Sequence, residues 1–233
     1  GARGMTRLFK LAEHNWHALS ADGIRISIDG HVYSSGDLPT PRRTAWRDSV
    51  TFDWNAGSLR IRSTYELRSD WDFISKRIAV NSPAAAFHVD SLSVWLDTLA
   101  EIPSDVYVVK SSHQNAGPMD YAAALRFASG NGMLAVVQNP FLHVTHDGGA
   151  FALSYATDMD WRSADGPLDS VRGLLGAYSL RGRRLPDPMR SLRALDSAPV
   201  HPGVDYAERD ACTGMVRAFL IDPPKAPIDV FVG

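Results

Sequence analysis

Five consecutive residues, Asp158-Met-Asp-Trp-Arg162, hold the side chains in this sequence best suited to chemistry. The indole of Trp161 offers a flat apolar face, and Asp158, Asp160 and Arg162 surround it with acceptors and donors. A polyhydroxylated ring presents the complement, an apolar CH face and hydroxyl edges. The competing interpretation is structural, with Asp160 and Arg162 pinning a loop through hydrogen bonds. Asp158, Asp160, Trp161 and Arg162 are therefore the candidate substrate-binding residues. The acid pairs Asp158/Asp160 and Asp165/Asp169 do not define a hydrolytic site by themselves. Glycoside cleavage needs two carboxyls held ~5–9 Å apart across a cleft, and proximity in sequence fixes no such distance. No catalytic set is legible in residues 1–233.

Other chemistries find less support. His14/His17 and His143/His146 have HxxH spacing, but residues i and i+3 of a strand point to opposite faces, so no metal site is expected. Cys212 is the only cysteine, which excludes an intrachain disulfide and a cysteine-based zinc site. It falls on the apolar face of a predicted helix, where a thiol is a buried filler rather than a nucleophile. Neither phosphate-binding glycine pattern, GxxxxGK(S/T) or GxGxxG, occurs, nor does a GxSxG elbow, and no cofactor is expected. Arg42-Arg43 and Arg181-Gly-Arg-Arg184 are short and read as solvated loops or interdomain salt bridges. With 24 Lys+Arg against 26 Asp+Glu and a net charge of −2, no long-range field favours nucleic acid. No apolar run approaches the ~18 residues of a membrane span, and no signal peptide is legible, so a cytoplasmic or already processed protein is the default expectation. Self-association stays open.

The elements that must position these residues are strands. Hydrophobic content of 45% and charged content of 21% describe a globular domain. Ile24, Ile26 and Ile28 alternate with polar residues up to Asp29-Gly30, a two-residue hairpin signal. Further strand pairs flank Asn55-Ala-Gly57, Gly130-Asn-Gly132 and Asp147-Gly-Gly149. In Leu59–Leu67, Leu59, Ile61, Tyr65 and Leu67 share one face, and Arg60, Arg62 and Glu66 the other. The apolar phase changes at Ser91 between Phe87/Val89 and Leu92/Val94/Leu96, which predicts a bulge or a strand passing between two sheets. Repeated hairpins predict a mainly β fold, an antiparallel sandwich over 6–180. Residues 157–204 read as largely irregular, with Ala177–Leu180 as one short strand and 181–204 as a linker. A helix follows from an Asp205 cap, with Cys212, Met215, Val216 and Phe219 on one face. Pro223-Pro224 ends it before the apolar strand Ile228–Val232. Residues 205–233 then read as a helix and the first strand of a second domain that continues past Gly233.

Two segments, Leu153-Ser-Tyr-Ala-Thr-Asp-Met-Asp-Trp-Arg162 and Ile228-Asp-Val-Phe-Val-Gly233, together with this order of elements, resemble the N-terminal part of α-galactosidase-like glycoside hydrolases. The resemblance implies a galactose-mutarotase-like β-supersandwich followed by a (β/α)8 barrel. It also implies carbohydrate as substrate, the C-terminal barrel as partner, and catalytic carboxylates beyond Gly233. Two alternatives accompany it. One is a free-standing carbohydrate-binding module; the other is a mutarotase-like epimerase with His88 or His113 as the acid–base histidine.

Overall fold

The computed structural model describes residues 4–5, 18–69, 73–113, 117–137, 143–155, 158–170 and 172–179. In chain order the strands are β1 (Leu19–Ile28), β2 (His31–Ser34), β3 (Arg42–Ala45), β4 (Ser49–Ala56), β5 (Leu59–Glu66), β6 (Ile74–Asn81) and β7 (Ala86–Leu99). They continue with β8 (Asp105–His113), β9 (Gly117–Arg126), β10 (Asn131–Val137), β11 (His143–Asp147), β12 (Ala150–Tyr155), β13 (Met159–Arg162), β14 (Leu168–Asp169) and β15 (Gly173–Ser179). Among the described residues they form two antiparallel sheets. The six-stranded sheet runs β11-β12-β7-β1-β2 with β13 added on β7, and the nine-stranded sheet runs β3-β4-β5-β6-β15-β10-β9-β8 with β14 added on β6. Inward residues of both sheets, among them Ile24, Ile26, Trp54, Ile61, Ile78, Val80, Val94 and Leu175, make one buried cluster. Each fully buried aliphatic or aromatic side chain contributes roughly 1.5–3 kcal/mol.

The turns follow the residues that demand them. Asp29 and Gly30 have φ 50° and 74°, the pair of positive values that a two-residue hairpin requires between β1 and β2. β5 alternates as its sequence predicts, with Leu59, Ile61 and Tyr65 buried and Arg60 and Arg62 exposed; it ends at Glu66, leaving Leu67 exposed. β7 changes phase twice. Its register against β1 shifts between Ser27 and Ile28, leaving Asp90 without an opposite partner, and again between Gly23 and Arg25, opposite Val94-Trp95. The phase change near Ser91 is thus a bulge within one strand of one sheet.

Three expectations need correction. Residues 158–179 are not irregular: they supply β13, β14 and β15, the last lying between β6 and β10 in the larger sheet. Its glycines imitate loop composition for a packing reason. A Cβ on Gly173 would strike the Trp95 indole, and one on Gly176 would strike the Phe73 ring. Arg42 and Arg43 sit in a strand, β3, rather than a loop. Finally, the fold class is corrected from a sandwich carrying an α-helix and a barrel strand to mainly antiparallel β, two sheets packed on one core. Among the described residues there is no α-helix, only a 3-10 turn at Ser163–Asp165. The helix expected from Asp205 and the strand at 228–232 rested on periodicity in residues outside the described part.

A charged cluster lies inside the core. Lys76 of β6 and Asp22 of β1 are completely buried, with Nζ 2.8 and 2.9 Å from the two carboxylate oxygens. Lys76 also donates to the Gly23 carbonyl at 2.6 Å and lies over the Tyr65 and Trp95 rings, 5.3 and 4.9 Å from their centroids. Asp22 further accepts from Tyr65 Oη at 2.5 Å and from the Leu96 N–H at 3.3 Å. Directly opposite Asp22 in the β1–β7 register stands Asp97, also buried. As a carboxylate, Asp97 would have no donor among the described residues. Burial, and the Asp22 charge beside it, push its carboxyl well above the usual range. A protonated Asp97 can donate to Asp22, which resolves the like-charge pair.

Removing the cation should be costly. Lys76→Met leaves Asp22 buried without its counter-charge and should lower unfolding free energy by about 3–5 kcal/mol, read by denaturant melts. Asp97→Asn should act oppositely as pH rises. The folded chain keeps the Asp97 proton whereas the unfolded chain releases it above about pH 4, so wild-type stability falls with pH over that window. The variant should escape this loss, its advantage growing by ~1.4 kcal/mol per pH unit until the raised value of Asp97 is reached. Parallel stability–pH curves for the two proteins would exclude a neutral Asp97.

Candidate functional site

The sequence-predicted residues lie on and just before β13, a four-residue strand added to the end of β7. Its register sets Met159 opposite Val89, Asp160 opposite His88, Trp161 opposite Phe87 and Arg162 opposite Ala86. Because side chains alternate, the four candidates do not share a face. Trp161 is half-buried, packs against the core cluster, and donates Nε1–H to the Gly166 carbonyl at 2.9 Å. Asp160 and Arg162 point the other way and are exposed. Arg162 stands 3.5 Å from Asp165 in an open ion pair of little energetic weight. Asp158 precedes the strand with φ 41°, a left-handed conformation uncommon outside glycine.

What the structure brings together is Asp158, Asp160 and a histidine. His88 Nδ1 lies 2.8 Å from Asp160 Oδ1, and Nε2 lies 3.2 Å from Asp158 Oδ1. Asp90 is 3.8 Å from Nε2. The backbone beneath is fixed on both sides. His88 N–H donates to the Asp29 carboxylate at 2.9 Å, and Asp29 N–H donates to the His88 carbonyl at 2.9 Å. The bulged Asp90 accepts from Ser27 Oγ at 2.8 Å and from Gly30 N–H at 3.0 Å, which ties the β1–β2 turn to β7. Those two hydrogen bonds hold the Asp90 carboxyl below the usual range. His88 is shifted upward, chiefly by its hydrogen bond to Asp160; desolvation opposes this, and the hydrogen bond to Asp158 adds a smaller upward push.

Sequence reasoning named His88 only as an acid–base alternative and did not name Asp90. Alternation of Phe87 and Val89 into the core was the available signal that His88 faces outward; its pairing with Asp160, 72 positions on, was not readable. Chemically the arrangement is an imidazole between carboxylates on a rigid edge. Its free carboxylate oxygens can accept hydrogen bonds from a polyol, and the imidazole can exchange a proton near neutral pH.

No family model matches this chain, and no curated protein matches it. Among solved structures it is similar to a human-microbiome protein assigned as a kojibiose phosphorylase, with 10% identity over 85% of this chain and 27% of that one, and a TM-score of 0.45. It is also similar to the α-N-acetylgalactosaminidase NagBb from Bifidobacterium bifidum in complex with GalNAc, with 9% identity over 78% and 34% of the two chains and a TM-score of 0.46. A third likeness is a variant of the GH36 α-galactosidase AgaA from Geobacillus stearothermophilus bound to raffinose, with 11% identity over 69% and 28% and a TM-score of 0.36. The chain therefore spans 27–34% of the length of these proteins. With TM-scores below 0.5 they carry no chemical detail to this chain.

The histidine offers a direct check. In an NMR titration of the imidazole, His88 should titrate above the ordinary value of about 6.5, and Asp160→Asn should lower it more than Asp158→Asn. The sign follows from the raised value: stabilisation by the paired imidazolium is complete below the ordinary histidine range and disappears as pH rises through the folded value. A His88 titration unmoved by Asp160→Asn would contradict the assigned hydrogen bond.

Proposed function

We propose that this β-sandwich is a supporting, substrate-shaping domain of a glycoside hydrolase. In this reading the His88, Asp158 and Asp160 edge meets the saccharide, while carboxylates of a separate barrel domain break the glycosidic bond. The observation that carries it is the imidazole fixed between two exposed carboxylates, 2.8 and 3.2 Å away, on a two-strand edge. With both ring nitrogens engaged, the carboxylate oxygens that remain free are acceptors at set spacing and suit the neighbouring hydroxyls of a sugar. The left-handed backbone at Asp158 adds support, since such conformations persist where surrounding structure insists on them. Arg162 supplies a further donor on the same face.

Trp161 enters as a positioning residue. Its indole seats β13 on the core and its N–H holds the turn after Arg162, so it sets where Asp160 and Asp158 stand. The sugar class comes from the sequence resemblance to α-galactosidase-like hydrolases. An acid–base role for His88 is a second reading, favoured by its 2.8 Å contact with Asp160.

In the enzyme that carries this domain, Asp160→Asn and Trp161→Ala should each raise KM for an α-galactoside about tenfold while kcat changes little, because binding rather than bond-breaking is lost. Unchanged kinetics in both would refute the substrate contact. Anomer interconversion by the 233-residue chain, abolished by His88→Ala, would promote the acid–base reading instead.

A further inference from the structure

The larger sheet carries a second polar feature on its outer face, away from the core. β3, β4 and β5 present Arg42, Asp53 and Arg62 side by side in one cross-strand row, with Thr44 opposite Thr51 in the next. Arg60 precedes Arg62 by two positions on β5, and Trp46 stands just past the end of β3. These side chains line one shallow groove of about 300 Å³. That is at the lower end of small-ligand sites and matches one or two sugar rings better than a polymer track.

The charges in the groove are unbalanced. Arg62 is committed to Asp53, with Nε 2.7 Å from Oδ1. Arg42 and Arg60 have no carboxylate partner among the described residues, and both are exposed. Three guanidiniums therefore face one carboxylate in a chain whose net charge is −2, so the local positive charge runs against the whole. Trp46 is 73% exposed, and its backbone N–H is held by the Ser49 carbonyl at 2.8 Å, so the indole stands on a fixed turn. A flat aromatic face, two threonine hydroxyls and two uncommitted guanidiniums make a specific set. The indole takes the apolar face of a sugar ring, the hydroxyls take its edge, and the guanidiniums take an anion.

We propose that this groove binds a short acidic saccharide of one or two rings: an apolar ring face seated on Trp46, with carboxylate or sulfate groups held by Arg42 and Arg60. It is independent of the His88 edge, which belongs to the other sheet. Shared chemistry covers two sources, a uronate and a sulfate ester, and the probes separate them.

Calorimetric titration of the 233-residue chain at low salt would use oligogalacturonate, a sulfated galacto-oligosaccharide, a neutral galacto-oligosaccharide and inorganic sulfate. At least one acidic sugar should bind saturably and about tenfold more tightly than the neutral one, and the preference should shrink as salt is raised. Trp46→Ala, and separately Arg42→Ala with Arg60→Ala, should each weaken it about tenfold, whereas His88→Ala should not. These positions are exposed, so unchanged thermal melts are expected and show that the fold survives. Equal binding of neutral and acidic sugars, inorganic sulfate binding as tightly as the best sugar, no saturable binding, or insensitivity to both sets of substitutions would each overturn the proposal.

Discussion

The contact between Lys76 and Asp22 is the constraint on which the sandwich depends. One residue comes from each sheet, both are withdrawn from water, and each is hydrogen-bonded across to the other sheet. Apolar residues tolerate small slips between layers because dispersion is non-directional; a buried ammonium does not. Nζ must reach both oxygens of Asp22 and the Gly23 carbonyl at once, with Tyr65 and Trp95 rings around it. One placement of β6 against β1 satisfies all of these. Gly173 belongs to the same constraint, as it pairs with Lys76 and leaves room for the Trp95 indole.

Much of this fold is written locally. Asp29-Gly30 and Gly148-Gly149 mark two-residue turns because their backbone angles or small size exclude most alternatives, and the alternation in β5 announces which face is wet. What escapes local reading is whatever depends on a distant partner. Lys76 sits in a segment legible as a strand, yet nothing nearby says that a lysine points inward; Asp22, 54 residues earlier, decides it. Gly173 and Gly176 mislead for the same reason. Glycine in a turn and glycine under an indole look alike until the indole is in place.

The candidate site divides similarly. Asp158 and Asp160 were identified by their chemistry, and they do meet on an exposed edge. Trp161 was grouped with them by adjacency in sequence, but in a strand adjacent residues face opposite ways. The indole accordingly went to the core side and the carboxylates to water. The true neighbour of Asp160 is its cross-strand partner, and a short edge strand such as β13 has too few residues for its register to show in the sequence.

The bulge at Asp90 has a wider meaning than its hydrogen bonds. β7 serves β13 with residues 86–89 and β12 with residues 92–98, and the odd residue out falls between the two stretches. The strand thereby changes its inward phase at Asp90 and changes it back at Val94-Trp95. Substitutions on the His88 side can alter what the edge displays without changing which residues of the Trp95 side face inward. Two bulges therefore stand between the edge that carries His88 and the stretch that carries Trp95.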